Sequence, residues 1–303
     1  MQIRDYGYRL GRSWRVRGRP WFVVSLGLAG VAALAAGAPA RAGRAAPSAL
    51  AQSRERAEGQ WIWTARDRAL FEEARTSSPS LRAAVLIASI ECVAGELKTK
   101  LGLSPLTAGS APDALVVRLS DSVHGCFDRQ PDEQLEQSLD VELGRLLQAV
   151  RDSRASFSEL QLDYDAPTEK LARYASVLRY LHAHSLRGVD LWVTSLPVHV
   201  EQPSYGSLMQ GAVSGHILQL FDTGLSCDTA RAEQLRAALR TQALPYRIGY
   251  GAFERKGAPA SRAHACWIGL TRAWQADPGA SGWWIFPAGI RYRQSVELLR
   301  GAP

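Results

Sequence analysis

Hydrophobic and polar positions along the 303 residues follow two alternating periods. Short β-rich apolar runs recur as "WIWTA" from Trp61, "AAVLIASI" from Ala83, "ALVVRLS" from Ala114 and "ELQLDYD" from Glu159. "VDLWVTSLP" from Val189, "HILQLFD" from His216, "YRIGYGAF" from Tyr246 and "GWWIFPAG" from Gly282 complete eight. Between them lie stretches with leucines at i, i+3, i+4 spacing, which predicts amphipathic helices. The clearest are 131–151, 167–184 with Pro167 at a first helical position, and 228–243 with Asp228 as cap.

Eight strand–helix units in about 250 residues predict an α/β fold, a (β/α)8 TIM-type barrel. The links after Ala83 and before Gly282 carry weak helical patterns, which leaves a distorted or incomplete barrel as the expected variant. The alternative is an open, doubly wound sheet, which ordinarily carries a Gly-rich phosphate turn after its first strand. "WIWTARDRALF" has none.

In a barrel the functional groups sit at the C-terminal ends of the strands. Polar and aromatic residues expected there are Trp63, Arg66, Arg118, Ser120, Asp121, Asp163, Asp165, Ser195, His199, Gln219, Asp222, Tyr250, Glu254, Trp283 and Trp284. This acidic, amidic and aromatic mixture suits a carbohydrate, with flat rings under sugar faces and carboxylates on hydroxyls. In "LQLDYDAP" the pair Asp163 and Asp165 would face one side if the strand continued through both. Two such like charges raise one pKa, as a glycosidic general acid requires. The expected catalytic set is therefore Asp163, Asp165, Asp222 and Glu254, with Trp63, Arg118, Gln219 and Tyr250 binding substrate. The plainer alternatives are Asp165 as a helix cap, an Asp163–Arg118 salt bridge, and tryptophans that only pack. Ser195 lacks a G-x-S-x-G elbow, and no P-loop, EF-hand or HExxH pattern occurs, so no cofactor or metal is expected.

Composition alters the picture at the N-terminus. Six arginines from Arg4 to Arg19 precede an uncharged run from Pro20 to Ala40, followed by A-x-A sites at Ala38–Ala40 and Ala40–Ala42. That pattern predicts a signal peptide over 1–42, a linker over 43–60 and one barrel domain over 61–303. An uncleaved membrane anchor is the alternative, since about 20 apolar residues span a bilayer. The chain carries +7, from 36 basic and 29 acidic residues. Residues 1–42 hold seven of the former and one of the latter, leaving 29 against 28. No basic face is needed on the folded domain, so nucleic acid is not an expected partner. Export to a periplasmic or secreted location would let Cys92, Cys126, Cys227 and Cys266 form two disulfides, of three possible pairings. On a barrel, Cys92 and Cys126 follow neighbouring strands, which favours that bridge.

"LQLDYDAP", "LWVTSLP", "HILQLFDTG" and "YRIGYGAF", in this order, resemble the bacterial family known as domain of unknown function 3142. The resemblance spans roughly Trp61 to Glu254 and implies a glycoside hydrolase-like barrel without an assigned activity. Chitinase-like barrels end their fourth strand in D-x-x-D-x-D-x-E, the glutamate being the proton donor. Asp163 and Asp165 match the last two aspartates, whereas the glutamate position is Pro167. The resemblance thus places the acid at Asp165 or on another strand, at Asp222 or Glu254. It implies either a hydrolase acting on a polysaccharide or cell-envelope glycan, or a barrel that only binds one.

Overall fold

A computed structural model describes residues 56–102, 112–221, 223, 225–251 and 260–286, together with 296 and 299. The expected signal peptide lies outside the described residues, as do Asp222 and Glu254. Eight parallel strands close into a barrel: β1 (Ala57–Ile62), β2 (Arg82–Val93), β4 (Ala114–Leu119), β5 (Glu159–Asp163), β6 (Asp190–Ser195), β7 (Gly215–Gln219), β8 (Tyr246–Gly251) and β9 (Ala280–Phe286). Closure comes from β1, which pairs with both β2 and β9. The eight apolar runs correspond to the eight strands, and the barrel closes rather than remaining incomplete.

The expected irregularity after Ala83 has a specific form. β2 outruns β1 and folds back on an antiparallel strand, β3 (Glu96–Leu101), through a turn at Ala94 and Gly95. β3 pairs with Ala88–Val93 of β2, whereas β1 pairs with Arg82–Val85. A hairpin thus raises the barrel wall above β1.

Helices α1 (Ala65–Ser77), α2 (Val123–Arg129), α3 (Asp132–Asp152), α4 (Leu171–Ala183), α5 (Pro197–Val200), α6 (Tyr205–Met209), α7 (Thr229–Gln242) and α8 (Ala260–Thr271) follow the strands. α3 buries Leu135, Leu139, Leu143, Leu146, Leu147 and Val150, the face its leucine spacing predicts. α7 begins as expected: the Asp228 carboxylate accepts the Arg231 N–H at 2.8 Å. The sequence reading did not identify α1, yet its start is a capping box. The Asp67 N–H donates to Thr64 Oγ1, while Asp67 Oδ2 accepts the N–H groups of Thr64 and Trp63.

Two apolar compartments result. The larger lies between strands and helices; the smaller joins only strand residues, Trp61, Ala84, Leu86, Ala114, Val116, Trp192, Ile217 and Trp284, inside the barrel. Indoles fill this interior because glycines stand opposite them. A Cβ on Gly59 would lie 2.1 Å from the Trp284 ring, and one on Gly215 would lie 2.5 Å from Trp192. Below the indoles, Arg247 Nη1 donates to Glu159 Oε1 at 2.7 Å and its guanidinium lies 3.6 Å from the Trp192 ring centre. Gln161 links this pair upward, donating to Glu159 and accepting the Trp61 indole N–H at 2.6 Å. The floor of the barrel is therefore closed by a polar plug built on the Arg247–Glu159 pair.

Both disulfides tie barrel-wall segments to helices. Cys92–Cys126 ties the β2–β3 hairpin to α2, confirming the favoured pairing, and Cys227–Cys266 ties the segment after β7 to α8. Among the described residues no helix is long and apolar enough to cross a membrane.

Candidate functional site

Period-two alternation decides which side chains reach the open mouth. On β5 the inward series is Glu159, Gln161 and Asp163, and on β6 it is Asp190, Trp192 and Thr194. β4 brings Arg118, the register partner of Asp163, and β7 brings Gln219. These four strand ends form a polar arc.

Asp163 is its centre. The Gln219 amide donates to Asp163 Oδ1 at 3.2 Å, and the Thr194 hydroxyl also donates to the carboxylate. Thr194 Oγ1 in turn accepts the Tyr164 N–H at 3.0 Å, which fixes its proton toward Asp163. Burial pushes the Asp163 carboxyl above the ordinary aspartate value, and the charge of Asp121 adds to the rise. The Arg118 guanidinium and the two hydrogen bonds act in the opposite direction, but desolvation prevails. The residue as a whole is half-buried at the C-terminal end of β5. It is a carboxyl with raised proton affinity at the rim of the barrel.

The opposite arc is aromatic. Trp63 follows β1, its backbone N–H held by Asp67, and its ring meets Phe286 edge-on at 4.7 Å. Phe221 lies 6.1 Å from Phe286, and all three rings are partly exposed. Arg118 links the arcs, its guanidinium 5.4 Å from the Trp63 ring centre.

The expected site residues separate accordingly. Trp63, Arg118, Asp163 and Gln219 come together. Asp165 does not extend the strand as expected: β5 ends at Asp163, so Asp165 stands in the following loop with an exposed side chain. The like charge that raises Asp163 is that of Asp121, in the exposed turn after β4. The next helical segments are capped by Pro167 and Lys170 without side-chain hydrogen bonds. Tyr250 does not reach the mouth, because the flanking Gly249 and Gly251 take the inward positions. Its buried hydroxyl bonds Thr271 of α8 at 2.6 Å. Trp283 and Trp284 are both buried, on opposite faces of β9, and Arg66 is exposed on α1. Ser195 faces outward, buried against His216 Nδ1 at 2.7 Å. Sequence reasoning missed Thr194, Phe221 and Phe286. The inward parity of Trp192 and Trp284 would have found the first and last of these.

The chain matches no model of a known protein family and no curated protein. Solved structures supply the likeness. The chitinase of Chromobacterium violaceum shares the fold with a TM-score of 0.56 and 12% identity, over 82% of this chain and 100% of that one. The spore cortex-lytic enzyme SleL of Bacillus cereus gives 0.54 and 13%, over 82% and 74%. A xylanase and α-amylase inhibitor protein gives 0.50 and 11%, over 81% and 98%. At such identities the likeness carries the fold, and enzymes and an inhibitor share it. The chain shares with them a closed (β/α)8 barrel.

Proposed function

We propose that this barrel is an exported glycan-processing protein whose mouth takes a polysaccharide or cell-envelope glycan, with Asp163 as its proton-carrying carboxyl. The observation that carries this reading is the raised carboxyl of the half-buried Asp163, oriented by Thr194 and Gln219, with its register partner Arg118 over the Trp63 ring. A sugar face stacks on Trp63, its hydroxyls bond Gln219 and Arg118, and Asp163 delivers a proton to the glycosidic oxygen. A second carboxylate then serves as nucleophile or water-activating base, drawn from Asp165, Asp121, Asp222 or Glu254. The two disulfides fit export to an oxidising compartment.

A second reading is a barrel that binds such a glycan, or an envelope partner, without turning it over. Pro167 at the chitinase glutamate position favours it. Calorimetric binding and reducing-end release, run on N-acetylglucosamine oligomers and peptidoglycan fragments, separate the two. Binding with release supports the enzyme, and binding without release supports the second reading. Absence of both across neutral and amino-sugar glycans removes the carbohydrate reading.

A further inference from the structure

The loop that carries Asp165 is tethered on both sides of that residue. On one side, the Tyr164 N–H donates to Thr194 Oγ1 at 3.0 Å. On the other, the Ala166 carbonyl oxygen lies 2.7 Å from His199 Nε2. Both tethers lead to the same neighbour, β6 and the α5 turn directly after it. Tyr164, Ala166 and His199 are buried, at 1%, 2% and 1% exposure, while Asp165 between them is exposed.

The bonding around His199 fixes its state. Nδ1 accepts the Leu196 N–H at 3.2 Å and therefore carries no proton. The imidazole proton is on Nε2, where it donates to Ala166. A neutral ring satisfies both partners, whereas a second proton would set Nδ1–H against the Leu196 N–H. Burial holds the imidazole below its ordinary value, which keeps it in the bonding form. Tyr205 of α6 stacks beside the ring at 6.2 Å, and His216 of β7 lies close enough to sense its charge.

Two buried tethers around one exposed residue hold its backbone just beyond the end of β5, as a pre-organised functional group requires. We propose that His199 is a positioning residue that clasps the Tyr164–Ala166 loop to β6 and so sets Asp165 as a working carboxylate of the mouth. The proposal rests on the reading of the mouth as a glycan site.

The test compares the full chain, disulfides intact, with His199→Leu, His199→Gln and Asp165→Asn. Hydrogen exchange of peptides covering 164–170 reads the clasp without any substrate. In His199→Leu this segment is expected to exchange about tenfold faster than in the parent, the effect of losing one net hydrogen bond, with β7 and β8 peptides unchanged. His199→Gln keeps an N–H donor toward Ala166 and restores slow exchange. Should His199→Leu lose its fold, His199→Asn, whose shorter amide does not reach Ala166, takes its place with the same expectation. On a glycan that the parent cleaves, His199→Leu and Asp165→Asn are both expected to lower kcat about tenfold or more with KM little changed, and His199→Gln to recover it. Unchanged exchange over 164–170 overturns the clasp, and unchanged kcat in Asp165→Asn overturns the role given to that carboxylate. If the parent neither binds nor cleaves glycans, the functional reading fails while the exchange result still decides the clasp.

Discussion

Replacing Arg247 with methionine is expected to expose how the barrel interior is held. Arg247 and Glu159 are almost sealed from solvent, with side-chain exposures of 6% and 2%. Removing one member of a buried ion pair costs roughly 3–5 kcal/mol, because the remaining charge is stranded. Here Arg82 stays 4.0 Å from the other carboxylate oxygen of Glu159, which holds that part near the lower figure. Loss of the guanidinium over Trp192 adds about 1 kcal/mol. Arg247→Met should therefore lose about 4 kcal/mol at pH 7, a large share of the ~5–15 kcal/mol typical of a folded domain. The double variant Arg247→Met/Glu159→Gln removes the stranded charge and should return to within about 1 kcal/mol of the parent.

Denaturant melts followed by circular dichroism, at constant m-value, read the loss in the single variant and the recovery in the double. A single-variant cost under about 1 kcal/mol, with no recovery in the double variant, would refute the claim that the plug is a sealed, mutually dependent pair.

Two further outcomes concern the rim and the helix layer. Cys92 and Cys126 close a separation of 34 residues and Cys227 and Cys266 one of 39. Replacing either pair with alanine is expected to cost up to about 4 kcal/mol by loop-closure entropy, read as a lower Tm in calorimetry. His216 is fully buried against Ser195, and burial pulls its imidazole down to about 3. Its folded pKa lies below the unfolded value of about 6.5, so its contribution is complete above 6.5 and is lost as pH falls toward 3. His216→Gln should flatten the acid limb of the stability profile by up to ~1.4 kcal/mol per pH unit, measured by urea titrations from pH 7 to 4.

Much of the architecture was legible because its signals are local. The leucines of α3 and the cap at Asp228 mark helices by themselves, and eight apolar runs count the strands. β3 was not legible: "ELKTKL" is a polar edge strand whose pairing with Ala88–Val93 depends on a turn with positive φ at Ala94 and Gly95. The capping box at Thr64–Asp67 was written in the sequence but lay inside a stretch read as the end of a strand. Asp163 was legible as an inward strand-end acid. Where β5 stops was not, so Asp165 was given the wrong parity. Tyr250 failed for the same reason, since only the packed barrel shows that its neighbours Gly249 and Gly251 take the inward positions at the end of β8. Thr194 shares the parity of Trp192, but its bond to the Tyr164 N–H depends on the β5–β6 pairing, a long-range contact that no local pattern encodes.

The most direct measurement is Asp163→Asn compared with the parent in glycan binding and in reducing-end release. The substitution preserves shape and the bonds to Gln219 and Thr194 through a flipped amide while removing the transferable proton. The account predicts affinity within a few-fold of the parent and turnover lower by about 100-fold or more, the usual contribution of a general acid. Turnover equal to that of the parent would contradict the assignment of Asp163 as the proton-carrying carboxyl.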